Sequence, residues 1–153
     1  MRPLEGIKVL DLSRVLAGPF AGRILHDLGA EVVKVEPPEG DVTRNWGKVR
    51  AGLAGYYTQQ NAGKSNVCID LRAEGGPELI RRLAAEADVL IENFRPGIMK
   101  KFGLAYEDLK VINKKLVMLS ISGFGQEGPE SGRAAYAPIL HGESGWLQRS
   151  AEW

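Results

Sequence analysis

Several short stretches carry residue types that could do chemistry. Gly123-Phe124-Gly125-Gln126-Glu127-Gly128 has the GxGxxG spacing and follows an apolar run. Such glycines let a backbone approach a pyrophosphate, provided that a helix opens on the loop and turns its N-terminus to the phosphates. Here Pro129 follows directly and Ser131-Gly132 carries no helix signal, so the required context is lacking. Ala62-Gly63-Lys64-Ser65 is similar to the end of a phosphate-binding P-loop. Thr58 stands where that motif needs glycine, and the stretch precedes a strand instead of following one, so Lys64 is read as a solvated lysine at a strand entrance. Glu36 ends a β-branched run, where an acid could hold a dinucleotide ribose. The turn before it has Gly18 and Gly22 without the remaining glycines, and a surface acid is the simpler reading. His26 falls off the apolar face of its helix and reads as exposed, and His141 with Glu143 does not make a metal set. Cys68, between Val67 and Ile69, reads as a buried small apolar residue. The residues alone give a nucleotide-type α/β domain and no catalytic group.

The elements that must position these groups begin with residues 7–41. A β-branched strand over 7–12 leads into a turn at 13–18, and Gly18-Pro19 opens a helix whose Phe20, Ile24 and Leu28 share an apolar face. Gly29 ends that helix and a second strand follows over 31–36. This is a βαβ unit, which predicts a parallel sheet with a right-handed crossover. The turn at 13–18 then lies at the carboxyl edge, where open α/β sheets bind ligands. Residues 37–63, rich in glycine and without a clear period, read as a long connection. Strands are predicted over 65–71, 88–93 and 116–122, with helices over 77–87, 98–102 and 106–113. The class is therefore α/β, a Rossmann-like, doubly wound and mainly parallel sheet. Residues 1–125 form its large-domain part, and 126–153 a loop and the start of a helical linker.

Composition excludes several classes. Twenty basic against nineteen acidic residues give a net charge of +1, no electrostatic case for nucleic acid or an acidic membrane. No apolar run approaches a membrane span, and a single cysteine makes a reducing cytoplasm the default expectation.

Four segments in order, PLEGIKVLDLSRVLAGPFAGRILHDLGAEVVKVEPPEGD, GKSNVCIDLRAEGG, DVLIENFRPGIMKKFGL and LSISGFGQEGP, resemble the start of a family III CoA-transferase of the CaiB/BaiF type. The group includes formyl-CoA transferase, carnitine CoA-transferase and α-methylacyl-CoA racemase. The resemblance runs from Pro3 to Gly145 and implies a Rossmann-like large domain, a smaller domain, and a homodimer of interlocked chains. It implies acyl-CoA and a carboxylic acid as substrates, with no tightly bound cofactor. Carried across by position, it places CoA contacts at Val15, Ala17, Ile69, Leu71, Arg72, Asn93, Phe94 and Lys101. Leu71 and Phe94 suit an adenine face, and Arg72 and Lys101 suit phosphates as charge-assisted donors.

The chain departs from relatives at Leu16, where formyl-CoA transferase has glutamine, and at Pro37, where it has a basic residue. Tyr136 stands where racemases carry their acid–base histidine, which argues against racemisation. The resemblance also implies that the nucleophile is an aspartate of a Gly-Asp segment beyond Trp153. The expected function is then the N-terminal part of a CoA-transferase, inactive and poorly soluble by itself. A non-catalytic CoA- or nucleotide-binding module is the second reading, and an NAD-binding enzyme the third.

Overall fold

The structure, a computed structural model, describes residues 2–152. Its centre is a five-stranded parallel sheet of β1 (Lys8–Asp11), β2 (Glu31–Glu36), β5 (Ser65–Cys68), β6 (Val89–Glu92) and β7 (Val117–Ser120). The strand order is β5-β2-β1-β6-β7. The chain winds outward from β1 in one direction, then returns to lay β6 and β7 on its other side, so the switch point lies between β1 and β6. That is the doubly wound arrangement expected from the alternating strand and helix patterns.

Alternation along the strands splits the core. Leu10, Leu12, Val35 and Leu90 face α3 (Gly76–Glu86), α4 (Ile98–Lys101) and α5 (Tyr106–Leu109), packing on Ile80, Ala84, Met99 and Leu109. Val9, Val32 and Ile91 face the other side, with Leu25 of α1 (Ala17–Asp27). On this second side β1 and β2 change character towards their carboxyl ends. Val9 gives way to Asp11, and Val32 to Lys34 and Glu36, all of them buried.

That change explains why α1 does not use the face its sequence advertises. Its buried residues are Gly18, Pro19 and Gly22, while Phe20, Ile24 and Leu28 are exposed, Phe20 by 53%. A Cβ on Gly22 would stand 2.7 Å from Asp11 Oδ2 and 3.1 Å from Lys64 Nζ. The glycine face lets the helix lie directly over buried charge, and the apolar stripe is left outward.

The expected long connection over 37–63 is structured. It contains a short 3₁₀ turn (Val42–Asn45), a hairpin of β3 (Val49–Arg50) and β4 (Leu53–Ala54), and α2 (Gly55–Asn61), which packs on α1. The helix is short and opens on Gly55 without a side-chain cap, so it leaves no periodic signal. After β7 the chain runs through an irregular segment to α6 (Ala137–Glu143) and α7 (Trp146–Ala151), neither of which buries a residue.

Among the described residues no helix is long and apolar enough to cross a membrane.

Candidate functional site

The turn between β1 and α1 sits at the switch point and is held by side chains from several elements. Asp11 accepts from the Ser13 N–H at 2.9 Å and from the Ser13 hydroxyl. Lys34 donates to the Ser13 carbonyl at 2.8 Å and lies 3.3 Å from Asp41. The amide of Asn93 takes both backbone groups of Arg14, each at 2.7 Å. Val15 adopts φ +69°, a left-handed conformation unfavourable for a β-branched residue, and its N–H donates to Asp41 Oδ2 at 3.1 Å.

Beneath the turn lies an ionic layer. Lys64 donates to Asp11 Oδ2 at 2.8 Å, to the Pro19 carbonyl at 2.8 Å and to Asn61 Oδ1 at 3.0 Å. Its side chain is 1% exposed. Both sequence readings of this lysine are thereby corrected: it is neither solvated nor turned towards a phosphate. Burial pushes its pKa down, and the Asp11 carboxylate partly offsets that.

Glu36 is likewise not a surface acid. It accepts two bonds from Arg44, at 2.7 and 2.8 Å, one from the Asp41 N–H at 2.7 Å, and others from Tyr57 and Asn66. Burial alone would raise its pKa, but Arg44, Tyr57 and the Asp41 N–H outweigh that and hold it down to about 2. Burial likewise works against the charge on Asp41, yet its bonds to Thr43, the Lys34 ammonium and the Val15 N–H leave it below the usual carboxylate range. These acids and lysines spend their donors and acceptors on one another and on the turn, so they build the site's wall.

Two open clefts flank that wall. The first, of about 270 Å³, has an apolar floor that includes Leu12, Val35, Ile69, Leu71, Phe94 and Phe102. Arg14, Glu39, Asp70 and Arg72 complete its charged rim. The Arg14 guanidinium lies 5.6 Å from the centre of the Phe94 ring. Arg72 is 66% exposed and meets Asp70 at 3.0 Å and Glu39 at 3.3 Å. A flat aromatic base fits such a floor, and a phosphate fits a rim arginine whose present partners are the half-buried Asp70 and the exposed Glu39. The second cleft, of about 280 Å³, shares Phe94 and runs past Ala17, Asn93 and Ser122 towards Arg133 and Tyr136. Among the described residues the buried Ser122 hydroxyl there has no hydrogen-bond partner.

Of the residues singled out in the sequence, Ile69, Leu71, Arg72 and Phe94 come together in the first cleft, and Ala17 and Asn93 join Phe94 in the second. Val15 lies in the wall with its N–H turned to Asp41, and Lys101 is exposed on α4 outside the lining of either cleft. Sequence reasoning missed Arg14 and Phe102; Arg14 could have been found from its place in the turn after β1. Cys68 is exposed on edge strand β5, and His26 is half-buried, its Nδ1 3.3 Å from the Ala30 carbonyl oxygen. The glycine loop at 123–128 opens no helix, since the next one begins at Ala137. Among the described residues no group of three His, Cys, Asp or Glu could hold a metal ion.

The family model for CoA-transferase family III matches residues 4–152. Succinate–glutarate CoA-transferase of Agrobacterium fabrum is 48% identical over 98% of this chain, which corresponds to 40% of that relative. Succinyl-CoA:glutarate CoA-transferase of Homo sapiens is 46% identical over 96% of this chain and 34% of its own length. The crystal structure of a CAIB/BAIF family protein from Brucella suis superposes with a TM-score of 0.89 at 51% identity, covering 94% of this chain and 39% of that one. The chain thus spans roughly two fifths or less of the length of these relatives.

Proposed function

Because the chain belongs to CoA-transferase family III, we propose that its strand-end clefts form the CoA-binding surface of an enzyme moving CoA from an acyl-CoA to a carboxylic acid. The observation that carries this reading is the first cleft: an apolar floor with Leu71 and Phe94, and Arg72 on its rim. In this account the adenine lies on that floor and Arg72 exchanges its carboxylate partners, Asp70 and Glu39, for the CoA phosphates. The pantetheine arm runs past Asn93 and Ala17 into the second cleft. Val15 shapes the wall, and Lys101 meets an outlying phosphate.

The chemistry is assigned to a carboxylate outside these 153 residues. A carboxylate nucleophile splits acyl transfer into two easier steps by way of an acyl anhydride. Asp11 and Asp41, the buried acids nearest the turn, are both committed to lysines and backbone N–H groups. In this reading residues 1–125 are the CoA-binding part of a large domain and 126–153 lead towards a smaller one, in a cytoplasmic, interlocked homodimer. CoA is substrate, and no tightly bound cofactor is required. Dicarboxylates such as those named for the two relatives are the first acceptors to assay on the whole protein.

The test is calorimetric titration of the chain with CoA and, separately, with NAD. Saturable CoA binding that weakens about tenfold in Arg72→Ala, the scale of one charge-assisted bond, supports the reading. NAD binding without CoA binding would overturn it in favour of a dinucleotide enzyme.

A further inference from the structure

The ionic layer under the β1–α1 turn has no counterpart in the chemistry proposed above, yet it encloses four charged groups at large desolvation cost. What it touches indicates its use. The Ser13 N–H is taken by Asp11, the Ser13 carbonyl by Lys34, and the Val15 N–H by Asp41. Asp41 itself is fixed by the Thr43 N–H at 3.0 Å and hydroxyl at 2.8 Å, and neither residue is in the lining of the two clefts. At the centre stands Val15 in a left-handed conformation, which is strained for a β-branched residue and persists only where the surroundings over-determine it. Residues on either side of it face the clefts: Arg14, next to it, the first, and Ala17, two residues on, the second.

We propose that Asp41 is a positioning residue. Its carboxylate, neutralised by Lys34 and locked by Thr43, holds Val15 in the left-handed conformation and so sets Arg14 and Ala17 against the two halves of CoA. The inference rests on CoA as the ligand of these clefts. Without Asp41 the turn relaxes towards ordinary backbone angles, and the fraction of chains with a competent wall falls. Apparent affinity falls by that same fraction. Release of that backbone strain makes the loss about tenfold.

A double-mutant cycle separates this role from general destabilisation. Glycine adopts φ +69° without the Cβ penalty, so Val15→Gly removes the need for the restraint. We expect Asp41→Asn to weaken CoA binding about tenfold in the parent chain and about twofold or less in the Val15→Gly background. An equal loss in both backgrounds would overturn the proposal. Should Asp41→Asn alone not fold, the comparison of Val15→Gly with Val15→Gly/Asp41→Asn decides by the same limits.

Amide hydrogen exchange gives a readout independent of CoA. The residue-15 amide should lose protection in Asp41→Asn while the amides in the middle of α1 keep theirs. Unchanged protection at residue 15 would sink the proposal. A parent chain that binds no CoA would instead refute the CoA reading of the clefts, and the exchange result would still decide whether Asp41 holds the turn.

Discussion

Replacing Glu36 with glutamine tests the electrostatic account of the wall in numbers. The side chain is 4% exposed and accepts from Arg44, Tyr57, Asn66 and the Asp41 N–H. Its carboxyl is held from the ordinary 4.5 down to about 2. At about 1.36 kcal/mol per pKa unit, the ionised group contributes about 3 kcal/mol near neutral pH. The sign follows from the direction of the shift: stability is present above 4.5, where the unfolded chain is also ionised, and is lost as pH falls through 2. The same linkage leaves about 1.4 kcal/mol at pH 3 and about 0.4 kcal/mol at pH 2. Urea unfolding of parent and Glu36→Gln, followed by tryptophan fluorescence across this range, reads the difference directly. Other acids titrate in both proteins and cancel. We expect Glu36→Gln to be less stable by about 3 kcal/mol at pH 7, a gap that more than halves by pH 3. A gap independent of pH would show that Glu36 matters for packing and that its charge does not.

Lys64→Met leaves Asp11 buried without its cation and should cost about 3–5 kcal/mol, little changed by added salt because the pair is buried. Urea unfolding at low and high ionic strength checks this, and a loss below about 1 kcal/mol would contradict it. Phe20→Gln with Ile24→Gln on the exposed stripe of α1 should reduce self-association of the chain, seen by sedimentation velocity, with stability changed by about 0.5 kcal/mol or less. Burial pushes the Glu92 carboxyl up, against its bonds to Ser120 and the Phe94 N–H, so its ionised form costs stability above the raised pKa. Glu92→Gln should therefore be more stable than the parent at pH 8, with the difference gone by pH 4, in the same unfolding assay.

The parallel sheet was legible because each strand is a short, largely apolar run ended by a turn signal, and every crossover but one carries helices that the sequence signals. The exception, α2, is short and uncapped, and only its tertiary packing on α1 makes it a helix. Residues of the cleft floor were legible where the resemblance supplied positions, as for Leu71 and Phe94. The wall was not, because its members come from distant stretches. Asp11 and Lys64 lie 53 residues apart, and Asn93 reaches Arg14 across 79. A charged residue looks solvated in sequence until its partner is known, so Glu36 and Lys64 were both misread. The same burial explains the outward stripe of α1: Gly18 and Gly22 were small enough to cover charge, and the apolar period on the opposite face carried no information about which side met the sheet. Cys68 was misread for a related reason, since an apolar neighbourhood in sequence does not distinguish an edge strand from a central one.

The most direct test of the central claim is a residue-resolved NMR titration of the isotope-labelled chain with CoA. Saturable shifts are expected at Arg14, Ile69, Leu71, Arg72 and Phe94 in the first cleft, at Ala17 and Asn93 in the second, and at Lys101 on α4. The amides of β5 before Ile69 and the far ends of α1 and α3 should be silent. Saturable shifts centred on the 123–128 loop, or none at either cleft up to millimolar CoA, would contradict it.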